Sequence, residues 1–161
     1  MSRARFWAAT AVLGAACLVI PVAQSQQGKT AAKPAPKLEP VAETKLLMEG
    51  LADPNFKGLG KLLAEKPKDD ESWRFARGQA LLVAETGNLL MMRPPKAKDA
   101  QDTWMTRATE LREAAAGLAR SAGARDYVKS RSGVAQVANA CNRCHQGFKV
   151  ATRVAPFPDE P

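Results

Sequence analysis

Cys141 and Cys144 stand three residues apart and His145 follows at once, in the run Cys141-Asn142-Arg143-Cys144-His145. Two thiols and an imidazole in this order are the pattern of c-type haem attachment: the sulfurs form thioethers to the porphyrin vinyl groups and the imidazole meets the iron. Residues three and four apart share one face of an α-helix, so a single turn brings the three side chains together. The expected cofactor is one covalent haem c with its iron. A Cys-x-x-Cys pair also serves as a thioredoxin-like redox couple, half a zinc site or a plain disulfide. A redox couple is expected at the start of a helix after a strand, and no strand pattern precedes Cys141. A zinc site needs a fourth ligand, and His145 is the sole histidine of the chain.

The third cysteine, Cys17, lies in a different context. Arg3 and Arg5 precede an apolar stretch over residues 6–23, after which the chain turns polar at Gln24-Ser25-Gln26-Gln27. A basic head, an apolar middle and a small-residue exit predict a secretory signal over residues 1–25 and export to the periplasm. Pro21 argues against a membrane span. Cys17 would leave with the leader. Gly14-Ala15-Ala16-Cys17 also fits a lipid anchor, but the apolar run continues through Leu18-Val19-Ile20 instead of ending at the cysteine. In an oxidising compartment Cys141 and Cys144 would pair unless haem consumes both.

Processing leaves about 135 residues, enough for one domain. Residues 26–40 are rich in Ala, Pro and Lys, have little to bury, and read as a flexible tether. A folded domain is expected over residues 41–152, with a tail at 153–161. Four helical segments are predicted within it. The first spans residues 41–65 with Leu47, Met48, Leu51, Leu59, Leu62 and Leu63 as apolar positions, kinked or broken at Asp53-Pro54. The second opens in Asp69-Asp70-Glu71, carries Trp73, Ala76, Ala80, Val83, Ala84, Gly87, Leu90 and Met91 at helical spacing, and stops at Arg93-Pro94-Pro95. The third covers 99–122, with Asp99 as its cap, Gly123 as its stop, and Trp104, Ala108, Leu111, Ala115 and Leu118 inward. The fourth covers 126–150 and carries the motif. Short connections imply an all-α, antiparallel four-helix bundle holding the haem in its core.

Other chemistry is scarce. A Gly-rich phosphate loop, a catalytic triad pattern and a paired-carboxylate arrangement are all missing from the sequence, so an enzyme is not expected. The net charge of +8 suits docking to an acidic redox partner. The basic residues are scattered and lack interleaved aromatics, which argues against nucleic acid.

An exported helical domain with Cys-x-x-Cys-His near its C-terminus resembles cytochrome c-prime and cytochrome c556, the class II c-type cytochromes, over residues 41–150. There the motif sits on the last helix and is commonly followed by x-x-Phe-Arg or x-x-Phe-Lys; here it continues Gln146-Gly147-Phe148-Lys149. Class I cytochromes instead carry the motif early and a methionine ligand late, whereas the last methionine here is Met105. The resemblance implies that Phe148 packs beside the haem and that Lys149 lies near the proximal imidazole or a propionate; the plainer alternatives are a core aromatic and a solvated lysine. It also implies two ways of treating the sixth iron position. A methionine of the first helix fills it in the c556 branch, and Met48 lies at the matching place, with Met91, Met92 and Met105 as poorer substitutes at helix ends. In the c-prime branch an apolar residue blocks it, a part Leu47 or Leu51 would take in a shifted register. The first case implies one-electron transfer with His145 and Met48 as axial ligands. The second implies five-coordinate iron that binds nitric oxide or another small gas. Homodimers are common in the family and are a further implication.

Overall fold

The computed structural model describes residues 37–157. The leader at residues 1–25 with Cys17, most of the 26–40 tether and residues 158–161 lie outside the described residues. Within them the chain is all-helical, with four helices and no strand. Helix α1 is a continuous run of three stretches: Thr44–Leu47, a wider π-helical turn at Met48–Ala52, and Asp53–Ala64. Helices α2, α3 and α4 span Asp70–Met91, Lys98–Gly123 and Tyr127–Gly147.

The proline of α1 acts just where a kink or break was expected, but the helix widens instead. Pro54 offers no N–H, and its ring crowds the carbonyl four residues back. One extra residue in the preceding turn opens the ladder at that point. Asn55 Nδ2 donates to the Leu51 carbonyl at 2.7 Å inside the disturbed region.

Each later helix begins and ends for a local reason. Asp69 caps α2, its Oδ1 accepting from Ser72 N at 2.7 Å, and Asp126 caps α4 by accepting from Lys129 N at 3.0 Å. These backbone N–H groups hold both carboxyls below the usual carboxylate range. Helix α3 departs from expectation at both ends. Ala97 precedes it, and Asp99 sits in its first turn, where a negative charge still complements the helix dipole. Gly123 is its last helical residue, and the left-handed position falls on Arg125, φ 56°. Asp126 N reaches Ser121 O and Arg125 N reaches Ala122 O, both at 3.0 Å, which closes a Schellman cap.

The helices form an antiparallel bundle, and contacts at its ends give the sense. At one end Tyr127 Oη donates to Ala64 O at 3.0 Å, and Arg125 pairs with Asp70 at 2.8 Å. At the other, Arg93 Nε donates to Ala42 O at 3.0 Å, and Trp104 Nε1 to Leu90 O at 2.7 Å. The second end therefore gathers the start of α1, the end of α2, the start of α3 and the end of α4, where the motif lies. Between the ends the core contains Leu59, Leu63, Val83, Leu118, Val134 and Val137, each at most 1 % exposed. Burying such a side chain is worth about 1.5–3 kcal/mol. The α2 stripe read from the sequence is buried from Trp73 to Leu90, with Met91 half-buried at its end.

Small residues set how closely the helices approach. A Cβ on Gly87 would lie 2.8 Å from the Ala108 carbonyl of α3, and one on Gly133 would lie 3.1 Å from Leu118. Such contacts leave little room between α2, α3 and α4. Helix α1 meets α2 along both its π-turn and its last stretch, and meets α4 through the last stretch. Among the described residues, no helix is long and apolar enough to cross a membrane.

One buried group costs stability. Ser130 is 0 % exposed, and its hydroxyl has no hydrogen-bond partner among the described residues. Ser130→Ala is expected to stabilise the fold by about 1 kcal/mol, because an unsatisfied buried hydroxyl forfeits its hydration. Chemical denaturation checks this, and a less stable variant would show that the hydroxyl finds a partner.

Candidate cofactor site

The Cys-x-x-Cys-His run occupies the last two turns of α4. Cys141 packs half-buried against the core, and Cys144 and His145 are half-buried one turn on. Both thiols are free. Burial pushes the Cys141 thiol from its ordinary 9.0 up to about 12, with the neighbouring Cys144 adding to the effect. Burial raises Cys144 too; the Arg107 guanidinium opposes this and Glu110 reinforces it. The negative end of the α4 dipole also disfavours a thiolate. A thioredoxin-like couple needs a lowered thiol pKa at a helix N-terminus, and these cysteines have neither. Among the described residues, no group of three or more His, Cys, Asp or Glu side chains could hold a metal ion. A zinc site therefore lacks ligands there.

His145 is held by the chain that follows it. Its Nδ1 lies 2.7 Å from the Thr152 carbonyl oxygen. A carbonyl only accepts, so Nδ1 carries the proton and the lone pair belongs to Nε2. That is the tautomer a metal-ligating imidazole adopts when a backbone carbonyl holds its other nitrogen.

The remaining sequence-predicted residues fall around this end of the bundle. Phe148 caps α4 and meets Trp104 of α3 edge to face, with ring centroids 5.1 Å apart at 79°. Lys149 is exposed, and its backbone is left-handed at φ 56°. Val150 N reaches His145 O at 2.8 Å and Lys149 N reaches Gln146 O at 3.3 Å, a second Schellman cap. Lys149 thus has a definite backbone part in turning the chain back along α4. Met48 lies half-buried in the π-turn of α1, Leu47 beside it is 7 % exposed, and Leu51 is half-buried. Met91, Met92 and Met105 are at the same end, the first two half-buried and Met105 41 % exposed.

Sequence reasoning missed a charged cluster on α3 and α4. Glu110 accepts from Arg107 Nη1 at 2.8 and 2.9 Å and from Arg143 Nε at 3.1 Å. The Arg107 hydrogen bonds hold the Glu110 carboxyl below the usual range, with Arg143 assisting. Arg107 Nε is a buried donor with no partner among the described residues. The spacing of Arg107 and Glu110 gave a signal for an ion pair on one helix; the link to Arg143 depends on how α3 packs on α4.

These residues fit a covalently attached haem. Two neutral thiols share one helix turn with an imidazole whose Nε2 keeps its lone pair, and the Trp104–Phe148 ring pair lies at the same end of the bundle. Compared with protein-family models, curated proteins and solved structures, the chain matches none of them.

Proposed function

We propose that the protein is an exported c-type cytochrome of the periplasm, carrying one electron at a time on a single haem c. The hydrogen bond from His145 Nδ1 to Thr152 carries the reading, because it leaves the lone pair on Nε2 in a helix turn that also bears two thiols unsuited to redox exchange. Cys141 and Cys144 would supply the thioethers, His145 the proximal ligand and Met48 the second axial ligand. When bound, such a haem supplies a ferric–ferrous couple that changes by one electron. The chain's own part would be to hold the imidazole in one tautomer and to supply the apolar Phe148–Trp104 pair at the same end of the bundle. The positive net charge would steer an acidic redox partner toward it. The resemblance to the class II cytochromes supports the same reading and adds a homodimer.

A second reading is favoured by one observation. Leu47, and not Met48, is the buried side chain at the start of α1. An apolar Leu47 over the distal face would leave five-coordinate iron able to bind nitric oxide or another small gas.

Chain matured with export and haem-attachment machinery should gain the mass of one haem and keep its colour through acid-acetone extraction. Its ferric iron is expected to be low-spin and to become high-spin in Met48→Ala. High-spin iron in both proteins would select the gas-binding reading, and a colourless chain of bare polypeptide mass would remove both.

A further inference from the structure

The segment after α4 is fastened on both sides of the one carbonyl that holds the imidazole. Upstream, the left-handed Lys149 reverses the chain, and Val150 N is tied to His145 O at 2.8 Å. Downstream, the Asn142 side chain grips Val154 twice: Nδ2 donates to Val154 O and Oδ1 accepts from Val154 N, each at 2.8 Å. Farther on, Phe157 is 6 % exposed, and the Arg131 guanidinium lies 4.1 Å from its ring centroid. Thr152 itself is exposed, so its own side chain does little to fix it. Its carbonyl is nevertheless 2.7 Å from Nδ1 because its neighbours are pinned.

Asn142 is one of the two residues between the cysteines, and those positions need have no chemistry of their own. Its amide nonetheless makes the paired contact that one strand would make with another, to a residue twelve positions on.

We infer that Asn142 is a positioning residue for His145. By clamping Val154 it holds the Thr152 carbonyl on Nδ1–H, and through that bond it sets how strongly Nε2 donates to the iron. This rests on the haem reading. A carbonyl that draws on the Nδ1 proton gives the imidazole imidazolate character, which strengthens the iron–nitrogen bond and favours ferric iron. Loosening the clamp should do the opposite.

The test uses the full chain matured with covalent haem. Asn142→Leu keeps a side chain of similar size and removes both contacts. Its reduction potential is expected to rise, and the iron–histidine stretch of the ferrous protein, read by resonance Raman, is expected to fall. Asn142→Asp keeps the acceptor for Val154 N and should lie between wild type and Asn142→Leu. If Asn142→Leu does not mature, a chain ending at Ala151 removes the Thr152 carbonyl altogether and should shift both readouts in the same directions. Arg153→Ala, an exposed neighbour in the same segment, should leave both unchanged. A haem-loaded wild type whose potential and stretch match those of Asn142→Leu and the shortened chain overturns the inference and leaves the haem reading standing. A wild type that takes no haem overturns both.

Discussion

Iodoacetamide at pH 8 is expected to alkylate Cys141 of the haem-free chain about 10²-fold more slowly than an ordinary exposed thiol. Raising a thiol pKa from 9.0 to about 12 cuts its thiolate fraction by about three orders of magnitude at this pH. The residual thiolate is a stronger nucleophile, which recovers between one and two of those orders. The rate should climb about tenfold per pH unit, since the thiol is still far below its midpoint. Stability moves the other way. The folded Cys141 pKa is raised, so the neutral thiol's contribution is complete below about pH 9 and is lost as pH rises toward 12. Mass spectrometry of peptides from timed reactions separates Cys141 from Cys144. Fast, stoichiometric labelling of Cys141 at pH 7 would restore a redox-active couple as a serious reading of the motif.

Trp104→Ala is expected to destabilise the protein by about 3 kcal/mol, the largest effect anticipated for a residue that is only half-buried. The indole joins three helices at the motif end: it belongs to α3, donates to Leu90 O of α2 and packs edge-on against Phe148 of α4. Such an aromatic pair contributes about 0.5–1.5 kcal/mol beyond the area it buries. Trp104→Phe should cost only about 1 kcal/mol, because the ring contact persists and Leu90 O still accepts from Arg93 N at 2.8 Å. Urea denaturation of the three proteins gives the order. An alanine variant as stable as the phenylalanine one would mean that the ring contacts contribute nothing to the joint.

Much of the fold was legible because it depends on periodicity. The α2 stripe, the acidic start at Asp69 and the placement of the motif on the last helix all follow from residue types at fixed offsets, and the helices fall where those offsets put them. Departures arise where the decisive partner is distant or the rule is only a preference. Left-handed caps favour glycine, yet Arg125 and Lys149 take them here while Gly123 and Gly147 stay helical. Phe56 is 4 % exposed but was not read as an inward position, although it stands one turn before Leu59 on the regular stretch that follows the widened turn. At the candidate site, the spacing of Cys141, Cys144 and His145 was visible. The parts played by Thr152, Val154 and Asn142 were not, because they depend on a chain reversal that only the cap after α4 creates.

That widened turn also works as a ratchet tooth. Stepping back from Leu63, Leu59 and Phe56 along an unbroken α-helix, the inward place about two turns earlier falls on Met48. The surplus residue slides the sequence by one notch and hands the place to Leu47. Excising Gly50, whose Cβ would touch nothing within 4 Å, would let the turn close with Leu47 brought to the same inward place, so the branched hydrocarbon would stay there. Pro54→Ala, which returns the missing N–H and keeps every other residue, would instead let an ordinary helix exchange that hydrocarbon for a sulfur, without altering any residue of the helix that bears the cysteines.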